Sequence, residues 1–341
     1  PLRVNRSSIP EGAMLRQVSP GFAFSCALTE AGAAYCWDGA SQSLADMQSI
    51  VGNFPEVHRP QAVLDGNKAP NRSYGANKAP HAAACGLASD GNLFCWGRSS
   101  RLPAGVIPRS GVFSAPSLLA KGAAGNASIQ DFAIGVNRTC VLADGQLFCA
   151  SNSQGSFEAL DRSAVPTNVQ FRSLKSGAGG EDFMGVLGSD GWLYMSGSAS
   201  GRRFGDGSAA FVSDQRLIRP MARGAIPANA RIVDFAIGGI AASNCAVADN
   251  GRAYCWGANY FGSLGDGSLT QRDALLPVEV LQGEVPNGVS LVSIECGTYH
   301  CTAMGSDRLP YSWGYAENAA TGQIPSQSSA SPRLISIVDM R

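Results

Sequence analysis

Cys245-Ala-Val-Ala-Asp-Asn-Gly-Arg-Ala-Tyr-Cys255-Trp256-Gly257 is two short apolar runs around an Asn-Gly pair. Gly accepts positive φ without steric cost, so this pattern predicts a β-hairpin. The block recurs over Cys26–Cys36, Cys85–Cys95, Cys140–Cys149 and Gly185–Met195, and in degenerate form over Cys301–Ser312. Its starts at 26, 85, 140, 185, 245 and 301 are 59, 55, 45, 60 and 56 residues apart. Such self-similarity marks a repeat architecture.

The cysteines test the hairpin. Cys85 and Cys95 are centred on Asp90, Cys245 and Cys255 on Asn250, and Cys26 and Cys36 on Ala31. Each centre gives a three-residue loop ending in Gly, the form of a type I turn plus a bulge. The third block is one residue shorter and centres between Asp144 and Gly145, so the deletion lies in the turn. The fourth block loses both cysteine positions together, to Gly185 and Met195, as a bonded pair would. The predicted disulfides are Cys26–Cys36, Cys85–Cys95, Cys140–Cys149 and Cys245–Cys255. In the sixth block Ser312 stands where the partner of Cys301 is expected, which leaves Cys296, across the turn 297–300, for the fifth bond. Eight or nine residues between cysteines around a turn do not fit a zinc site, so no metal is expected. Disulfides imply an oxidising compartment, hence a secreted or cell-surface protein. The start at Pro1, without a leader, reads as a trimmed chain.

An apolar strand ending near a Gly precedes each hairpin, as in Leu15–Val18, Ile129–Ile134, Ile232–Ile237 and Leu291–Ile294. A Pro-introduced strand such as 60–63 or 277–280 follows it. Four strands per unit at this period predict an all-β fold, a β-propeller of four-stranded blades. Six blades are expected, with seven as the alternative, in a single domain over 1–341. Ring closure would join Leu2–Val4 to Pro332–Ile337.

The cysteine, Asp-Gly and Tyr/Phe-Cys-Trp-Gly pattern, followed by Phe261-Gly-Ser-Leu-Gly-Asp-Gly267, resembles the regulator of chromosome condensation repeat. His300 matches that family's histidine after the glycine that opens a blade. The resemblance covers the chain as six copies and implies a propeller, seven-bladed in most members. Paired hairpin cysteines also resemble those of plant Crinkly-type receptor ectodomains. The family's nuclear founder exchanges guanine nucleotide on a small GTPase; no residue here carries that activity over.

Composition narrows the function. The 26 Lys+Arg balance 26 Asp+Glu, and charged residues are only 15%, so no basic surplus points to nucleic acid. No run of about 18 apolar residues is present, so no membrane insertion by this segment is expected. Three scattered histidines (His58, His81, His300) are a poor supply for acid–base chemistry, and no nucleophile elbow or phosphate loop occurs, so neither catalytic residues nor a cofactor are expected. The Gly-Asp-Gly-Ser stretches at Asp206 and Asp266 read as turns. Trp37, Trp96, Trp256 and Trp313 share one repeat position and read as core between blades. Sequons at Asn5, Asn71, Asn126 and Asn137 are possible glycosylation sites. Candidate binding loops carry Phe54, Arg72, Tyr74, Trp192, Tyr260 and Phe261. The expected function is a non-enzymatic extracellular protein-binding or self-assembly module. A secreted enzyme inhibitor and a glycan-binding lectin-like propeller are the alternatives.

Overall fold

The computed structural model describes residues 122–134, 138–151, 156–177, 183–199, 201–239, 243–297, 299–315 and 328–335, and the backbone of seven strands between 15 and 118. Each expected hairpin forms within an antiparallel meander; in five sheets it is the middle pair of four strands, and in the first it is the last pair of three. The first sheet has β1 (Leu15–Pro20), β2 (Phe24–Thr29) and β3 (Ala34–Asp38). The second has β4 (Gln61–Val63), β5 (Ala83–Leu87), β6 (Leu93–Gly97) and β7 (Ser114–Leu118). The third has β8 (Ile129–Ile134), β9 (Arg138–Ala143), β10 (Gln146–Ser151) and β11 (Glu158–Ala159). The fourth has β12 (Phe171–Ser176), β13 (Phe183–Gly188), β14 (Leu193–Gly197) and β15 (Arg219–Pro220). The fifth has β16 (Ile232–Ala236), β17 (Ser243–Ala248), β18 (Ala253–Ala258) and β19 (Asp273–Glu279). The sixth has β20 (Leu291–Cys296), β21 (His300–Gly305), β22 (Pro310–Gly314) and β23 (Ser329–Leu334). The chain forms two compact units, Pro1–Leu160 and Asp161–Arg341, and the fourth to sixth sheets lie in the second.

Turn chemistry sets the hairpins. Asp144 and Gly145 both have positive φ (48° and 72°), the two-residue turn that keeps Cys140 opposite Cys149 despite the deletion. Asp190, Asn250 and Asp307 each accept a hydrogen bond from the amide two residues on, and each side chain also bonds the tyrosine four residues on (Tyr194, Tyr254, Tyr311). In the sixth turn Arg308, at φ 66°, stands where the other turns have Gly. Burial and the Asp307 carboxylate push the Tyr311 phenol up to about 12. A bulge at the same place in the leading strand marks five of the sheets.

Two expectations need correction. Gln61–Val63 does not follow the first hairpin as its fourth strand; β4 pairs with β5 and opens the second sheet. Three residues carry too little side-chain alternation to fix a partner. Ser312 does not face Cys301 either. The three-residue turn Ser306-Asp307-Arg308 sets Ser312 opposite Thr302 and Cys301 opposite Trp313. Cys301 therefore sits one position off the cysteines of the other hairpins and points to the other face of its sheet.

That alternation builds the core. Trp256, fully buried, packs back onto Phe183, Leu193, Met195 and Phe204 of the preceding repeat. Trp313 packs likewise with Cys245, Val247, Cys255 and Leu264. Gly205 and Gly265 make room: a Cβ on either would come within 2.9 Å of Trp256 or Trp313 respectively. In the fourth sheet the missing cysteine pair is filled by the Met195 side chain, opposite Gly185, in the same interface. Of the proposed ring closure, the C-terminal strand β23 pairs with β22, while Leu2–Val4 lies outside the described residues. Among the described residues no helix is long and apolar enough to cross a membrane.

Candidate functional site: an aromatic platform

Four rings meet at one end of the fifth and sixth sheets. Phe261 stacks at a tilt on Tyr315, with centroids 4.4 Å apart. Tyr299 stands edge-on to Tyr260 at 5.8 Å, to Phe261 at 5.7 Å and to Tyr315 at 6.0 Å. Edge-to-face geometry matches the ring quadrupoles. The three tyrosines are half-buried and Phe261 is 44% exposed. Leu269, 57% exposed, packs beside Gly262 and extends the apolar surface.

The platform rests on polar scaffolding. Asn259 is fully buried. Its Oδ1 accepts from the Leu264 amide at 3.0 Å, and its Nδ2 donates to the Ser268 and Thr270 carbonyls at 2.8 and 3.0 Å. The Ser263 carbonyl accepts from Ser243 Oγ and from Trp313 Nε1, which ties the loop to both sheets. Tyr299 and Tyr315 are joined by a backbone hydrogen bond of 2.9 Å. Phe261 itself holds φ 56°, a conformation rare for an aromatic residue and one the loop imposes.

The surrounding groups offer little chemistry. His300 lies against the backbone of Gly297, and burial holds its imidazole below the usual pKa, so it is neutral near pH 7. Asp206 and Asp266 close turns by accepting the amides of Ser208 and Ser268, and Asp266 also pairs with Arg272. On the leading strands, Lys175 bridges Asp234 and Glu295 at 3.0 and 2.9 Å. Burial disfavours its charge, but the two carboxylates outweigh that and raise its pKa. Cys140–Cys149, Cys245–Cys255 and Cys296–Cys301 are bonded, and Cys26 and Cys85 stand in register with Cys36 and Cys95.

The other sequence candidates fall elsewhere. Trp192 is half-buried; its Nε1 donates to the Met221 carbonyl at 2.7 Å, and the Arg223 guanidinium covers its ring at 4.1 Å. Phe54, Arg72 and Tyr74 lie outside the described residues, as do Asn5, Asn71 and Asn137. Asn126 is exposed in a turn before β8. Tyr260 and Phe261 were legible as loop aromatics, whereas Tyr299 and Tyr315 were missed. The one signal for Tyr315 is a large ring directly after Trp313-Gly314, where the fifth repeat has Ala258.

Comparison with known proteins bears on the repeat. Residues 250–304 match the family model described as Regulator of chromosome condensation (RCC1) repeat, and residues 232–263 match a second model of the same description. Residues 232–304 thus carry the RCC1-repeat pattern. It is 27% identical over 156 residues to the human E3 ubiquitin-protein ligase HERC2, a match covering 46% of this chain and only 3% of the ligase. The structure of yeast RCC1 (Prp20) bound to Kap60 is similar at a TM-score of 0.68 and 16% identity, over 94% of this chain and 74% of that one. The ectodomain of the Physcomitrella patens receptor kinase CR4 aligns at 0.50 and 18% identity, over 89% of this chain and 65% of that one. These likenesses carry the fold, an all-β architecture of β-propeller type.

Proposed function

We propose that this RCC1-repeat chain is a non-enzymatic extracellular protein-docking module, a single propeller domain of six blades over 1–341 that binds its partner through the platform Tyr260–Phe261–Tyr299–Tyr315. The observation that carries the reading is Phe261, an exposed ring held at φ 56° on a loop pinned by a buried asparagine. Rigid aromatics lose little entropy on binding and dominate interface energetics. Yeast RCC1, a neighbour in fold, has a structure with the protein Kap60 bound. The buried disulfides support the extracellular setting.

The test is affinity for the partner recovered from the protein's own source. Phe261→Ala is expected to weaken binding about 30-fold or more, the ~2 kcal/mol of an aromatic hot spot, at unchanged melting temperature. Undiminished binding overturns the reading. Signal on a glycan array that vanishes with Tyr260→Ala would replace it with the lectin reading, and loss of a captured enzyme's activity would refine it to inhibition.

The setting has its own test. Asn126-Ala-Ser128 is an exposed sequon, so protein from its source is expected to lose one glycan mass on Asn126→Gln. An Asn126 that is bare in the native protein counts against a secreted setting.

A further inference from the structure

The disulfides of the fifth and sixth sheets form one sulfur cluster. Cys245 points forward from the fifth sheet and Cys301, through its one-residue offset, points back from the sixth. Their sulfurs stand 3.5 Å apart. The Sγ atoms of Cys245, Cys296 and Cys301 all lie within 4.8 Å of one another. Access is one-sided. Cys245, Cys255 and Cys301 are at most 1% exposed, while Cys296 is half-buried at the edge of the turn. Ser243 Oγ lies 3.8 Å from Cys301 Sγ.

We propose that this cluster is a thiol–disulfide exchange site, which takes a low-molecular-mass thiol at Cys296 and passes the exchange inward to form a Cys245–Cys301 bond between the two sheets. Exchange rates depend on which sulfur is reachable and on the stability of the leaving thiolate. The incoming thiolate attacks Cys296 Sγ, forms a mixed disulfide there and breaks Cys296–Cys301. The electron pair leaves on Cys301, where the Ser243 hydroxyl is placed to turn and donate to it. The Cys301 thiolate then attacks Cys245 Sγ, forms Cys245–Cys301 and breaks Cys245–Cys255. The pair leaves on Cys255, which takes up the proton that the incoming thiol gave up. A second thiol resolves the mixed disulfide at Cys296. Two thiols enter, one external disulfide leaves, and one of the two protein disulfides is reduced. Two local staples, spanning 10 and 5 residues, give way to one spanning 56 that joins neighbouring sheets. A longer closed loop removes more entropy from the unfolded chain. The proposal does not depend on the docking reading.

The experiment is a titration of the folded chain with reduced glutathione, quenched in acid, alkylated and mapped by peptide mass. At intermediate thiol, the majority of the partly reduced protein is expected to carry a Cys245–Cys301 peptide with Cys255 alkylated and Cys296 alkylated or glutathionylated. Alkylation of Cys296 and Cys301 with Cys245–Cys255 intact overturns the proposal, and so does joint release of all four thiols. Cys296→Ser gives a second readout without added reductant, because it leaves Cys301 unbonded. That variant is expected to purify with Cys245–Cys301 formed and a single alkylatable thiol at Cys255 among the cluster. Cys301 found alkylated beside an intact Cys245–Cys255 overturns the proposal. In guanidinium-denatured wild type the Cys245–Cys301 yield is expected to fall several-fold. An equal yield means random scrambling and overturns it as well.

Discussion

Trp256→Ala is expected to cost about 3–5 kcal/mol of unfolding free energy, the range for an aromatic removed from a packed interior. The indole is fully buried among Phe183, Met195, Phe204 and Met221, so its loss opens a cavity between the fourth and fifth sheets. It also strands a hydrogen bond, since Trp256 Nε1 donates to the Arg203 carbonyl at 2.8 Å. That carbonyl keeps a second donor in Asn244 Nδ2 at 2.9 Å, so the cavity is the larger part of the cost. The site cannot collapse easily. Gly205, at φ 66°, already brings its backbone against the indole, and the Arg203 guanidinium is held over Phe183 and bonded to the Gly238 carbonyl. Urea denaturation gives the answer. A drop in midpoint at constant slope is expected, with Trp256→Phe showing a smaller one. A loss below about 1 kcal/mol for the alanine variant would mean that the indole does not bolt the two sheets together.

The same Trp position shows what a sequence carries and what it does not. Trp256 and Trp313 were legible as core because they recur at one place in a repeat whose strands alternate. The hairpins were legible because Gly251 or Gly145 is needed where the chain turns through positive φ. Register in the sixth repeat was not. Counting from cysteines put Ser312 opposite Cys301, yet the turn, with Arg308 in the glycine's place, decides the pairing. Very short strands were equally silent: β11 and β15 have two residues each, and two residues have no period. A repeated linker was also overlooked, because it is a turn with no strand or helix period. Val165-Pro, Ile226-Pro and Val285-Pro each open the approach to a leading strand, and the amide three residues beyond each proline donates to that proline's carbonyl, Val169 to Pro166, Ala230 to Pro227 and Val289 to Pro286. The platform lies between these cases. Tyr260 and Phe261 stand out in a loop, but Tyr299 and Tyr315 join them only because sheet packing brings separate loops together.

Asn259→Ala should show whether that platform is built or incidental. One side chain holds the loop by three hydrogen bonds from a fully buried position. Its removal leaves the buried Leu264 amide without its acceptor, the costliest of the three losses, since an unmet buried donor loses its full solvation. The Thr270 carbonyl, on an exposed residue, regains water, and Ser268 is intermediate. The expected destabilisation is about 2–4 kcal/mol, concentrated locally. Hydrogen exchange should therefore quicken at Leu264 and along 260–270 well before it does in β17 or β21. Asn259→Asp keeps an acceptor for Leu264 but sets a buried carboxylate against the Ser268 and Thr270 carbonyls, so a loss at least as large as that of the alanine variant is expected at neutral pH. Because Phe261 can hold its φ of 56° only while the loop over-determines it, the freed loop should relax toward negative φ and take the ring off Tyr315. Partner affinity should then fall with Asn259→Ala although no platform ring has been touched. If affinity survives while the Leu264 amide exchanges freely, the ordered arrangement of rings is not what the partner reads.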